Sequence, residues 1–447
     1  MIERNRNSMA DIKVDFSDII GKIKPMHAVN NGPLKKRSDQ TRHNFDTYKA
    51  AGIPFARTHD SSFCADYGGE HTVDIHMIFP NFEADPYSPY SYDFTLTDEY
   101  LLRTMSAGTE IFYRLGSKIE HEIKKYGTLP PNGFMKWAVV CEHVIRHFNE
   151  RWANGHHMGI RYFEIWNEPD LDPDDAENKR TWGGTKSQFF DFYEIVAKHL
   201  KKCFPSLKIG GPASAGNMTW TEDFLREMSG RGVPMDFFSW HIYTSDPGAV
   251  FSRAAEVRCL MNKYGFGKAE SILNEWNYIK GWSEDFIDSV KTIIGMKGAA
   301  FNAEVMSRCQ YAGVDMLMYY DARPCVFNGL FDYYTMEPLK GYYPFAMFSE
   351  LYKLGHQVSC MRSDDLISAV AATDCNGNGA IMITFYTDND NLNGELDVNI
   401  SIKGINPSSI EFTLLDSENT ALKSYLTVSN KLECKMKPNS VVLISIT

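Results

Sequence analysis

The sequence predicts an α/β fold: a (β/α)8 TIM barrel with a C-terminal antiparallel β-sandwich. Three observations carry this. Short apolar runs alternate with helix-period segments for over 300 residues. Near residue 356 the texture changes to short β-type runs between Asn, Asp, Gly and Ser turns. The 447 residues exceed the roughly 250 that one barrel requires.

The predicted barrel strands are 25–30, 54–58, 110–115, 161–166, 207–211, 236–241, 271–275 and 314–320. Helices are predicted over 133–152, 187–203, 248–264, 283–312 and 341–354; in 187–203 the stripe Phe189, Phe192, Ile195, Val196, Leu200 has helical period. Eight such units close as a parallel barrel, because right-handed crossovers leave few other solutions. The barrel is expected over 25–355 and the sandwich over 356–447, with strands at 366–373, 379–386, 396–402, 410–415 and 441–446. Segment 1–24 is expected to add a strand to the sandwich.

A net charge of -11 argues against nucleic acid, since nothing could neutralise a run of phosphates. Nine cysteines without a C-x-x-C pair read as reduced thiols. No apolar stretch follows the N-terminal charges and no run of 18 apolar residues occurs, so no signal peptide and no membrane contact are expected. The expected location is cytoplasmic.

The chemistry concentrates at two strand ends. Arg161-Tyr-Phe-Glu-Ile-Trp-Asn-Glu-Pro-Asp170 carries an apolar strand straight into Asn167 and Glu168, on the expected catalytic face. Beside Trp166 and away from bulk water, the Glu168 carboxyl should hold a proton near neutrality. Ser271-Ile-Leu-Asn-Glu-Trp276 ends the seventh strand on a second carboxylate, Glu275, across the barrel mouth. Two carboxyls flanking a pocket suit glycoside hydrolysis, and their separation decides between retention and inversion. Aromatic loops at 79–92 and 327–334 suit sugar stacking or a subunit contact within a homo-oligomer. No metal or cofactor is expected. Asp170-x-Asp172-x-Asp174 lacks the glycine and glutamate of a calcium loop and reads as a solvated acidic loop, and no His/Cys cluster has zinc spacing.

Beyond the paired Trp-Asn-Glu-Pro and Asn-Glu-Trp, four further motifs narrow the reading. Trp182-Gly-Gly-Thr185, Lys208-Ile-Gly-Gly-Pro212, Phe238-Ser-Trp-His-Ile-Tyr243 and Pro438-Asn-Ser-Val-Val-Leu-Ile resemble glycoside hydrolase family 39, which includes β-xylosidases and α-L-iduronidases. The resemblance implies a retaining exo-glycosidase acting on a carbohydrate, most nearly a β-xylosidase. It assigns Glu168 as acid/base, Glu275 as nucleophile and Asn167 as partner of the sugar 2-hydroxyl. Arg57 would orient the nucleophile and Tyr243 would bond it; His241 would point at the site. Substrate contacts are expected from His59, Trp276, Tyr320, Asp321 and Arg323 as well. Tyr243 stands where the iduronidase pattern has a basic residue, which weighs against uronic acids. The rivals are other family specificities (α-L-arabinofuranosidase, β-galactosidase), an endo-acting xylanase-like hydrolase, and an inactive sugar-binding barrel.

Overall fold

Residues 9–34, 36, 38, 42–60, 71–325, 327 and 329–447 are described by the structure, a computed structural model. After β1 (Met9–Lys22), eight strands pair in chain order and close into a parallel barrel. They are β2 (Ala28–Asn30), β3 (Phe55–Arg57), β4 (Glu110–Leu115), β5 (Tyr162–Ile165), β6 (Lys208–Ser214), β7 (Phe237–Tyr243), β8 (Glu270–Asn277) and β9 (Met316–Tyr319). Strand alternation builds the interior in storeys. Phe55, Tyr162, Phe237, Ile272 and Met316 are among the residues of an apolar floor. Two residues further along their strands, Arg57, Glu164, Ser239 and Asn274 form a polar storey closed to solvent. The mouth lies above it.

The helices wrap the outside with apolar faces inward. Lys186–Cys203 starts at a capping box formed by Thr185 and Gln188. The segment expected as one helix over 283–312 is two, Phe286–Ile293 and Met296–Gln310, broken at Ile294–Gly295. Gly298 explains the close junction: a Cβ there would lie 2.5 Å from the Ile293 carbonyl oxygen. Among the described residues no helix is long and apolar enough to cross a membrane.

The C-terminal unit is one curled nine-stranded sheet. Its strands are β1, β10 (His356–Arg362), β11 (Ile367–Thr373), β12 (Gly379–Phe385), β13 (Leu396–Lys403), β14 (Ile410–Leu415), β15 (Leu422–Tyr425), β16 (Lys431–Met436) and β17 (Ser440–Ile446). They run in the order β15-β14-β17-β12-β11-β10-β1-β13-β16. Sequence patterning missed β10, β15 and β16. The first and last are rich in polar and charged residues, and β15 is exposed along its whole length. β1 sits near one end of the order, antiparallel to β10 and parallel to β13, so the sheet is mixed at that point. Its alternate residues Ala10, Ile12, Val14 and Phe16 are buried in the sandwich core. The sheet docks on the barrel through Met296–Gln310, where the Ser368 hydroxyl donates to Glu304 at 2.5 Å.

Ile12 is fully buried where β1 joins two neighbours, so Ile12→Ala leaves a cavity between three strands. Denaturant unfolding should show a loss of about 2–5 kcal/mol. A loss below about 0.5 kcal/mol would mean that β1 is not packed as described.

Candidate active site

Two departures from regular strand geometry shape the mouth. After β5 the chain turns sharply, with Trp166 (φ 74°) and Glu168 (φ 46°) in the left-handed region. The Glu168 amide donates to the Ala213 carbonyl at 2.9 Å, and the Thr181 hydroxyl donates to the Glu168 carbonyl at 2.6 Å. This turn swings the Trp166 indole outward. Its ring packs against Trp137, Trp182 and Phe192, and its N–H donates to the Thr181 carbonyl. The expected shelter of the Glu168 carboxyl by Trp166 is therefore corrected. The group against that carboxyl is His241, whose Nδ1 lies 2.8 Å from it.

The second departure is a β-bulge in β8. Leu273 pairs with Trp240 and Glu275 with His241, leaving Asn274 as the extra residue. Alternation is reset there, so Asn274 and Glu275 both face the barrel axis. Trp276 consequently points away and packs on Phe301 and Tyr319, fully buried. The expectation that Trp276 touches substrate fails for this reason.

Arg57 joins the storeys. Its Nε–H donates to Glu164 at 2.6 Å, and Nη1 donates to Asn30 at 3.1 Å and to Glu275 at 2.8 Å. Nη2 donates to the Asn167 side-chain oxygen at 2.6 Å. Glu164 is completed by the Ser239 hydroxyl at 2.6 Å and by the Asn274 amide. Glu275 also accepts from the Tyr243 hydroxyl at 2.8 Å, and His59 Nε2 lies 3.2 Å away. Burial alone would push the Glu275 carboxyl up, but the charges of His241, His59 and Arg57 outweigh it and hold the group well below the ordinary carboxylate range. Burial likewise opposes the charge on His59, yet Asp60 and Glu275 push that imidazole up to about 9. An oxygen of Glu168, a nitrogen of His241 and an oxygen of Glu275 all lie within 4.8 Å of one another.

Asp60 is a hub that sequence reading missed. It accepts from the Tyr320 hydroxyl at 2.6 Å and faces His59 at 3.2 Å, His71 at 3.3 Å and Arg323 at 3.3 Å. Asp321 turns inward with no exposed surface, and burial, opposed by Arg323, pushes its carboxyl up to about 7. It lies under the mouth rather than on its surface.

The two aromatic loops part company. In 79–92, Tyr92 stacks on Phe94 and meets Trp152 edge-on, while Tyr87 meets His143; these rings pack on the barrel flank. Phe327 instead joins Trp282 and Phe286 in a stack that reaches Tyr243. Trp282 is 61% exposed and was not anticipated, because its loop follows β8 without a motif. Asp170 is not solvated either; it accepts from Ser214 and from the Ala215 and Asn217 amides.

Paired carboxylates at the mouth of a (β/α)8 barrel define the class of the barrel glycoside hydrolases. The family model of glycosyl hydrolases family 39 matches residues 60–280. A β-xylosidase of Geobacillus stearothermophilus is 25% identical over 341 residues, 64% of this chain and 62% of that protein. A β-xylosidase of Caldicellulosiruptor saccharolyticus is 31% identical over 134 residues, 30% of this chain and 25% of that protein. Each match thus spans less than two thirds of the relative. In fold, the chain resembles a Croceicoccus marinus glucosidase, with a TM-score of 0.79, 22% identity and 99% of both chains covered. Over residues 60–280 the chain is thus similar to glycoside hydrolase family 39.

Arg57→Met would leave Glu164 as a buried carboxylate without its cation. Unfolding should show a loss of about 3–5 kcal/mol, of which Arg57→Met combined with Glu164→Leu recovers a large part. Strict additivity of the two substitutions would contradict the pairing.

Proposed function

We propose that this protein is a retaining exo-glycosidase that removes terminal sugars from short oligosaccharides or glycosides, with β-xylosides as its substrates. The carboxylate spacing carries the reading. One oxygen of Glu168 lies within 4.8 Å of one oxygen of Glu275, which fits the roughly 5–5.5 Å carboxyl spacing of retention better than the about 6.5–9.5 Å that admits a water in inversion.

Glu275, ionised between Arg57, His59 and Tyr243, attacks the anomeric carbon while Glu168 protonates the departing oxygen. Glu168 then removes a proton from the water that releases the glycosyl group. The side chain of Glu168 is 14% exposed against 6% for Glu275, which suits the group that must meet leaving group and water. Because the Asn167 oxygen accepts from Arg57, its NH2 is left to donate to the sugar 2-hydroxyl. The ring stack of Trp282, Phe286 and Phe327 offers faces to the substrate beside Tyr243. The two β-xylosidase relatives support xylose as the sugar. Among the described residues no cysteine is joined in a disulfide, which supports a reducing, cytoplasmic setting.

Glu275→Ala should lower turnover of an aryl β-xyloside at least about a hundredfold, and azide should restore product with inverted anomeric configuration. Near-normal turnover in that variant would remove Glu275 as nucleophile. A ladder of xylo-oligosaccharides should release single sugars; mid-chain cuts would refute the exo reading.

The pH profile of kcat/KM should be bell-shaped. Activity requires ionised Glu275, so it is lost as pH falls through the depressed value of that group. Tyr243→Phe removes a donor to the charged form, which raises that value and moves the acid limb to higher pH. Glu168→Gln should slow poor leaving groups far more than activated aryl glycosides. Equal slowing of both in the glycosylation step would exclude Glu168 as the acid.

A further inference from the structure

We infer that Asp98, His147 and His156 form a binding site for a zinc-class divalent metal, distinct from the barrel mouth. The three come from different segments: Asp98 from the first turn of Thr95–Ser106, His147 from the last turns of Phe134–Glu150, and His156 from the loop that leads toward β5. That loop joins β5 at its N-terminal end, whereas Glu168 follows the C-terminal end of the same strand.

The ligand atoms converge on one point. His147 Nε2 lies 3.0 Å and 3.1 Å from the two Asp98 oxygens, and His156 Nε2 lies 3.1 Å from one of them. All three ligand atoms fall within 4.8 Å of one another. Ligands at about 2.0–2.1 Å around a tetrahedral zinc stand roughly 3.3 Å apart, so a small adjustment of the half-buried His156 closes the site. Two imidazoles and one carboxylate with an open fourth position suit zinc, and suit magnesium or calcium poorly.

A second observation points to a cation. His147 Nδ1 lies 2.9 Å from the Trp152 carbonyl, which can only accept, so Nδ1 carries a hydrogen. That leaves Nε2 as the ring atom turned onto the Asp98 carboxylate. A histidine that donates Nδ1–H to a carbonyl and presents Nε2 to a carboxylate has the arrangement of a metal ligand with a supported outer shell. The ring cannot swing away: it is buried, stacked on Phe94 with centroids 3.5 Å apart. Nor can the loop recede easily, because the His156 amide is bonded to the His147 carbonyl. Gly155 permits that approach, as a Cβ there would lie 2.1 Å from the same carbonyl oxygen.

The test uses the full-length protein after chelator treatment and dialysis, titrated with zinc chloride against a chromophoric chelator and followed by thermal unfolding. Wild type should bind zinc, and zinc a hundredfold above its Kd should raise Tm by about 2–5 °C. His156→Ala should keep the metal-free Tm within about 1 °C and lose one bound zinc together with the rise. His157→Ala, next in sequence and outside the cluster, should retain both. Zinc at the Glu168–His241–Glu275 group would inhibit hydrolysis and persist in His156→Ala, so loss of activity separates the two positions. The inference is overturned if wild type binds no zinc, which leaves a protonated His147 paired with Asp98. It is equally overturned if His156→Ala keeps the stoichiometry and the Tm rise of wild type.

Discussion

The site depends on burying one guanidinium. Arg57 has no exposed surface, and a charge in that position is tolerable only when paired and fully hydrogen-bonded. Glu164 and Asn30 hold it from the polar storey, and Glu275 and Asn167 use the remaining donors at the mouth. One planar group therefore fixes the spacing of β2, β3, β5 and β8 where the chemistry occurs. Charges balance around it: Arg57, His59 and Arg323 face Glu164, Glu275 and Asp60. Glu168 stands outside this set, with His241 as its neighbour. Division of labour between the two carboxylates thus begins in the wiring.

Regular strands alone would not place both carboxylates correctly. On β5, strict alternation would send residue 166 inward; the left-handed turn sends the indole into the helix layer and delivers Asn167 and Glu168 to the mouth. On β8, the bulge at Asn274 lets two consecutive residues serve two storeys, one bracing Glu164 and the other reaching Arg57 and Tyr243 at the mouth. Strained turns and bulges at a functional rim are a common solution, because they aim side chains that a period of two cannot.

These irregularities also mark the limit of sequence reading. The barrel was legible because eight apolar runs recur with helix-period segments between them, and Glu168 and Glu275 because each ends such a run. His241 and Tyr243 were legible from simple alternation along β7, which holds. Trp276 was misplaced because a bulge has no compositional signature, and Asp60 was passed over because its partners come from distant segments. Glu164 lay inside the recognised motif, yet a buried acid is indistinguishable in sequence from an exposed one. Among strands, those with alternating hydrophobics were found, and polar β10, β15 and β16 were not.

The position of β1 bears on how the chain is made. Its backbone pairs with β10 and β13, which begin at His356 and Leu396. On a ribosome working at about 5–20 residues per second, the strand waits roughly 20–80 seconds for its partners. Throughout that interval it is a hydrophobic segment with both edges unpaired, while the whole barrel is synthesised behind it. The barrel can close first, but the sandwich cannot be completed until β13 has left the ribosome. During synthesis the earliest strand is therefore the one most exposed to mispairing and most dependent on chaperone cover.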